Sequence, residues 1–110
     1  MYEQGEIVIV PFPFSDLSNI KQRPVLILSK NADCKTSDDL ITCGITSNLK
    51  DVKYSVLIDN DNLKTGIIPA KSRIKIDKLF TLDKNIIRKK VAKIDKITLV
   101  SIKKEFSRLI

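Results

Sequence analysis

The chain is divided into short apolar runs rich in Val and Ile, separated by polar turn residues, and this spacing constrains the fold more than any other feature. Runs of this length are typical of strands and are too short to span a bilayer. They predict strands at Ile7–Val10, Pro24–Leu28, Leu40–Thr46, Tyr54–Ile58, Gly66–Ile68 and Arg88–Ile94, with one long bent strand over Ser72–Leu82. Because proline lacks the N–H that a ladder needs, we expect Pro11 and Pro13 to end the first strand and Pro24 to begin the second.

The end of the chain follows a helical period instead. Leu99, Ile102, Phe106 and Leu109 recur at spacings of three and four, which gives one apolar stripe. Asp95 precedes the stripe and is a suitable N-cap. The sequence therefore predicts a mainly β chain with a C-terminal helix, arranged as a small β-barrel.

The length of 110 residues fits one domain over 1–110. The N-terminal residues Met1 to Gln4 lack the basic region and apolar stretch of a secretory signal. We therefore expect a single cytoplasmic domain with a modest core, and a second copy of the chain would add stability to it.

Charge is distributed unevenly along the chain. Residues 1–70 contain seven basic and nine acidic residues, whereas residues 71–110 contain thirteen basic and four acidic residues, a net charge of +9. A basic half indicates a polyanionic partner, such as nucleic acid, anionic lipid or an acidic protein segment. The alternative is a solvated surface rich in lysine.

The sequence contains no histidine, which excludes His-based acid–base pairs, Ser-His-Asp triads and His metal sites. Cys34 and Cys43 are nine residues apart and form no CxxC motif. We expect two free thiols that pack as small apolar side chains, without a disulfide, metal site or cofactor.

Two short motifs contain side chains that suit a phosphate. Arg23 precedes Pro24, which restricts it to extended geometry, and a guanidinium can bind phosphate through two parallel hydrogen bonds. Thr46 and Ser47 end a predicted strand with two hydroxyls that could donate to a phosphate oxygen. The alternatives are a surface arginine in a hairpin and a pair that caps a turn. The residues alone thus indicate a basic β-domain with candidate phosphate ligands.

Several segments together resemble the MazF/PemK family of toxin endoribonucleases. The run Gly5–Asp16, followed by Lys21–Ser29, is similar to the opening of that family. Ile45–Ser47 resembles its strand-end threonine motif, and Ser72–Lys75 with Lys78–Asp83 resembles its later barrel strand. The resemblance covers nearly the whole chain.

The resemblance implies an SH3-like small β-barrel of the MazF/PemK/CcdB type, assembled as a homodimer. It implies the toxin of a type II toxin–antitoxin system, an mRNA interferase that cleaves single-stranded mRNA at specific sequences and is held inactive by a cognate antitoxin. The nucleophile is the 2′-OH of the RNA, so the products are 2′,3′-cyclic phosphate and 5′-OH ends, and no metal is needed. Arg23 and Thr46 correspond to the catalytic residues, and Ser15 to Gln22 to the loop that contacts RNA.

The candidate RNA-binding residues combine this loop with polar residues that follow the third strand. They are Ser15, Asp16, Ser18, Lys21, Gln22, Ser47, Lys50 and Lys53. The alternative for the three lysines is a set of solvated turns. Among the few aromatic residues, Tyr2 and Tyr54 are the candidates for stacking on bases.

Two other classes of function remain open. One is a non-catalytic barrel that binds nucleic acid or protein, since related barrels include a toxin that poisons DNA gyrase by binding. The other is a membrane-surface protein that binds through its basic helix, although docking onto the barrel explains that helix better. The presence of both Arg23 and Thr46 favours the enzyme.

Overall fold

The computed structural model describes residues 1–13 and 20–110, which form a curled antiparallel sheet, a half-barrel, with a C-terminal helix. Within these ranges the strands are β1 (Glu6–Pro13), β2 (Ile20–Ile27), β3 (Asp39–Thr46), β4 (Ser55–Ile58), β5 (Leu63–Gly66), β6 (Ser72–Asp83) and β7 (Lys89–Ile94), and the helices are α1 (Asn31–Thr36) and α2 (Lys96–Leu109). The order across the sheet is β4-β6-β3-β2-β1-β7-β5. The predicted fold class is confirmed. No helix in the described ranges is long and apolar enough to cross a membrane.

Alternate strand residues face two separate apolar cores, as the period of two requires. One of them, here called the inner core, lies against helix α2 and includes Ile7, Leu26 and Ile74, all of them buried. The outer core lies on the opposite face and includes Val8 and Val25. Because both faces of the central strands are covered, their runs are continuously apolar and not alternating.

Helix α2 covers the inner core with the predicted stripe. Ile102 is buried, and Leu99, Phe106 and Leu109 pack against the same core. Asp95 is the N-cap, and its carboxylate accepts a hydrogen bond of 2.7 Å from the backbone N–H of Thr98. Both predictions about this helix are confirmed.

The predictions that rested on proline were wrong. Strand β1 continues through Pro11 to Pro13, and β2 begins at Ile20, four residues before Pro24. Beyond Ile9, β1 pairs with β2 alone, and β2 joins β3 only from Val25 onward. A strand with one neighbour needs only alternate N–H groups, so prolines are tolerated there.

Two other elements differ from the prediction. The fifth strand is Leu63–Gly66 and not Gly66–Ile68, because Gly66 has a φ of +77° and ends it. Helix α1 was not predicted, since residues 30–39 are polar and Lys30 provides no side-chain cap. Its buried Cys34 packs into the outer core.

The long strand β6 is bent, as predicted, and the bend shapes the surface described below. Gly44 pairs with Lys75, whereas the preceding Cys43 pairs with Leu79. Residues 76–78 therefore have no partner on β3, and this segment of β6 bulges away from its neighbour.

Candidate functional site

Arg23 and Thr46 lie at the same end of the sheet, on neighbouring strands. Val25 of β2 and Gly44 of β3 form the last pair between these strands; Arg23 lies two residues before Val25, and Thr46 lies two residues after Gly44. Because residues two apart share a face of a strand, both side chains belong to the face that carries Val25. Sequence reasoning named both residues, and the fold brings them to one surface groove.

This groove, the Arg23 groove, has a volume of about 560 Å³ and is exposed to solvent. Its lining residues are Arg23, Pro24, Gly44, Ile45, Thr46, Lys75, Asp77, Lys78, Leu79 and Phe80. The bulge of β6 supplies one wall. Gly44 contributes no side chain, and a Cβ placed there would lie 3.5 Å from Lys78 Cβ. The missing side chain therefore leaves open space between the two walls.

The electrostatics of the Arg23 groove favour an anion. Among the described residues, Arg23, Lys75 and Lys78 bring three cations to its lining, against one carboxylate on Asp77. Arg23 is exposed, so its guanidinium can reach a bound ligand. Positively charged side chains next to hydroxyl and backbone donors are suited to a phosphodiester.

The hydroxyl of Thr46 caps the turn that follows β3. Its Oγ1 accepts a hydrogen bond of 3.1 Å from the backbone N–H of Asn48. The turn-capping alternative is thus correct as a structural role. It does not compete with a functional role, because a hydroxyl that accepts one bond still has its own proton to donate.

A smaller pocket adjoins the Arg23 groove and shares Thr46 and Lys75 with it. This Arg73 pocket has a volume of about 100 Å³ and is lined by Thr46, Asn48, Lys50, Val52, Arg73 and Lys75. Lys50 was a predicted RNA ligand, but Arg73, Lys75 and Lys78 were not singled out as site residues. The signal that could have found Arg73 and Lys75 is their alternation with Ile74 and Ile76, which puts both cations on one face of β6.

The remaining candidates are dispersed. Ser47 lines a separate, mostly apolar cleft of about 210 Å³ that also includes Arg23 and Pro24. Lys53 lies elsewhere, in a pocket with Asp51 and Glu105. The exposed Lys21 and Gln22 belong to the outer part of β2, before Arg23. Ser15, Asp16 and Ser18 lie outside the described residues.

The two tyrosines differ in their surroundings. Tyr2 packs against the outer core, and Lys90 Nζ lies 5.1 Å from the centre of its ring. Tyr54 precedes β4 with a φ of 56°, a left-handed conformation that is unusual for a bulky residue. Neither tyrosine lines the Arg23 groove.

Both thiols are free and buried, as predicted. Burial raises the pKa of Cys43 to about 12 and also raises the pKa of Cys34. The thiolate forms are therefore scarce at neutral pH, which makes both cysteines poor nucleophiles. Within residues 1–13 and 20–110, no three Cys, Asp or Glu side chains group closely enough to hold a metal ion.

Comparison with known proteins gives a consistent result. Residues 3–110 match the family model that describes PemK-like, MazF-like toxins of type II toxin–antitoxin systems. A mycobacterial endoribonuclease in complex with its cognate antitoxin has a TM-score of 0.78 at 18% identity, over 98% of this chain and 93% of that chain. The MazE–MazF structure from Deinococcus radiodurans has a TM-score of 0.74 at 19% identity, over 98% and 93%. The toxin MazF-mt6 of Mycobacterium tuberculosis has a TM-score of 0.72 at 16% identity, over 92% and 93%. The chain has no significant match among curated protein sequences.

Proposed function

The chain belongs to the PemK-like, MazF-like toxin family of type II toxin–antitoxin systems, and on this basis we propose that it is a metal-independent endoribonuclease that cleaves single-stranded mRNA at specific sequences. The observation that carries the proposal is the position of Arg23 and Thr46 across one cationic groove. Structural relatives with endoribonuclease activity support the same reaction class.

The reaction uses the nucleophile that RNA itself supplies. The 2′-OH attacks the adjacent phosphorus, the bond to the 5′ oxygen of the next nucleotide breaks, and a 2′,3′-cyclic phosphate and a 5′-OH end result. The protein has to align this attack and stabilise the extra negative charge on the phosphorane. DNA lacks the 2′-OH and is not cleaved in this way.

Arg23 and Thr46 have distinct parts in this step. The guanidinium of Arg23 binds two phosphate oxygens and offsets the developing charge. Because arginine stays protonated in proteins, Arg23 can stabilise charge or donate a proton but does not act as the base. Thr46 donates its hydroxyl proton to a non-bridging oxygen. Each such donor contributes roughly 10²- to 10³-fold to the rate.

The partners follow from the same family and from charge. We propose a cytoplasmic homodimer of a single domain over 1–110, which a cognate antitoxin inhibits. Complexes of relatives with their antitoxins support this partner. The net charge of +9 over residues 71–110, from thirteen basic and four acidic residues, suits an acidic antitoxin segment.

The test is cleavage of a long RNA in excess EDTA, followed by mapping of the new 5′ ends and a test for cyclic phosphate. We expect discrete cuts with 5′-OH ends. Arg23→Ala should cleave about 10³-fold more slowly, whereas Arg108→Ala, which removes an exposed arginine from α2, should cleave at the wild-type rate. Arg23→Ala at full rate would overturn the assignment, and no cuts by the folded wild type would indicate the non-catalytic binding module instead.

A further inference from the structure

Arg73 is a buried cation whose hydrogen-bonding capacity is only partly used. It is 9% exposed, and its Nη1 donates to Ser55 Oγ at 3.1 Å and to Asp51 Oδ1 at 3.4 Å. Its Nε is buried and has no hydrogen-bond partner within residues 1–13 and 20–110. A buried cation whose donors are only partly used is costly, and the small exposed part of Arg73 lines a pocket, so an anion held there would be stabilised by the guanidinium.

The two bonds of Nη1 give Arg73 a structural role, since they tie β6 to β4 and to the turn before it. They do not account for the whole arrangement. The side chain of Asp51 is 92% exposed, and ion pairs of exposed carboxylates contribute little. Neither bond requires Lys50 or Lys75, which line the same pocket.

The composition and size of the Arg73 pocket select a small anion. Three cations, Lys50, Arg73 and Lys75, line it together with the hydroxyl of Thr46, and no carboxylate from residues 1–13 or 20–110 lines it. The volume of about 100 Å³ has room for a small anion such as a phosphate group.

The position of the pocket indicates which phosphate of a bound RNA it would hold. It shares Thr46 and Lys75 with the Arg23 groove, so a nucleic-acid backbone can continue from one to the other along the protein surface. We propose that Arg73, Lys50 and Lys75 form a second phosphate-binding site, which holds a phosphate adjacent to the scissile one. This inference rests on the proposed function for the identity of the ligand, and it makes the substrate longer than the cleaved dinucleotide.

The direct test observes Arg73 itself. The chain contains four arginines, Arg23, Arg73, Arg88 and Arg108, so the Nε–Hε region of a ¹H–¹⁵N NMR spectrum holds four signals to assign. The protein is titrated with inorganic phosphate and with an uncleavable 2′-O-methyl RNA. We expect the Arg73 signal to shift with both ligands, while the signal of Arg108 on α2 stays in place. A shift of Arg23 without any shift of Arg73 would overturn the second site.

The functional test compares matched lysine variants by cleavage kinetics. Lys50→Gln should raise KM several-fold and leave kcat nearly unchanged, because Lys50 lines the Arg73 pocket and not the Arg23 groove, and contacts away from the reacting atoms bind the ground state and the transition state alike. Loss of Lys50 should also lower the slope of log KM against log salt concentration by about 0.7. Lys64→Gln is the control, since Lys64 is exposed on β5 at the opposite edge of the sheet. Equal kinetics for Lys50→Gln and Lys64→Gln would contradict the proposal.

A substrate series separates this inference from the proposed function. Replacing single phosphates near the cleaved bond by uncharged methylphosphonates should weaken cleavage by the wild type at one adjacent position, and Lys50→Gln should lose much of that sensitivity. If the wild type cleaves RNA but is insensitive at both adjacent positions, the second site is wrong and the enzyme assignment stands. If no RNA is cleaved, the enzyme assignment fails, and the Arg73 signal then decides whether the pocket binds RNA phosphate at all.

Discussion

The two halves of strand β2 face different environments. Val25 and Leu26 pair with strands on both sides and are fully buried. Lys21 to Arg23 pair with β1 alone and are exposed. The comparison teaches that one strand serves stability along one half and the candidate site along the other, so substitutions in the two halves should separate stability from activity.

The largest expected effect is a loss of stability alone, at Gly66 on β5. Gly66 has a φ of +77°, and a Cβ there would lie 2.2 Å from Val91 O. Gly66→Ala should therefore destabilise the protein by about 3 kcal/mol or more, because the clash is with backbone and cannot be relieved by a side-chain rotation. Chemical denaturation measures the loss, and an unchanged midpoint would show that β5 is not held against β7 as described.

The covering helix gives a second effect on stability alone. Ile102 is 1% exposed on the buried side of α2, whereas Ile97 is 81% exposed on the same helix. Ile102→Ala should cost about 3 kcal/mol through lost burial and a cavity, and Ile97→Ala should stay within about 0.5 kcal/mol. The comparison is made by denaturation at equal protein concentration. Similar losses for both variants would mean that the exposed face of α2 is covered, as it would be in an assembly.

A substitution at Gly44 should have the opposite effect and lower activity without lowering stability. A Cβ there meets Lys78 Cβ at 3.5 Å, an ordinary contact, so Gly44→Ala should keep the wild-type melting temperature. The methyl group would enter the Arg23 groove, and we expect cleavage to fall by roughly tenfold because small misplacements of a substrate are costly. Full activity in this variant would place the RNA elsewhere.

The smallest expected effect concerns pH and Asp95. Hydrogen bonds from Thr98 lower the pKa of Asp95 below its ordinary value of 3.8. A lowered pKa in the folded state means that the carboxylate contributes stability above the ordinary pKa, and that this contribution is lost as the pH falls through the lowered value. Asp95→Asn keeps an acceptor for the cap but cannot titrate. Its stability should therefore match the wild type most closely in strong acid, and parallel pH profiles for the two proteins would contradict this role.

Much of the fold could be predicted because the local signals and the tertiary contacts agree. The stripe of α2, its N-cap Asp95 and the long bent β6 all have a clear period or cap. Helix α1 could not be predicted, because its six residues have neither a capping side chain nor an apolar stripe and depend on burial of Cys34. The strand ends predicted from the prolines were wrong for a related reason, because a proline interrupts a strand only where its N–H would face a neighbouring strand.

The candidate site also has a part that could be predicted from the sequence and a part that could not. The pattern around Arg23 and Thr46 predicted phosphate ligands, and in the folded chain both residues line the Arg23 groove at the ends of neighbouring strands. Lys75 and Arg73 join them only because β3 pairs with β6, a contact between segments about thirty residues apart in sequence. No local pattern indicates that pairing, so the Arg73 pocket could be recognised only in the folded chain.

The most direct test of the central claim uses an RNA in which one 2′-OH is removed. The cleaved bond is first mapped in an all-RNA substrate, and the nucleotide on its 5′ side is then replaced by its 2′-deoxy form. If Arg23 and Thr46 orient attack by the RNA's own hydroxyl, this substrate should bind with near-normal affinity and remain uncut at that bond. Cleavage of the deoxy substrate at an undiminished rate would contradict the account, because the nucleophile would then have to come from outside the RNA.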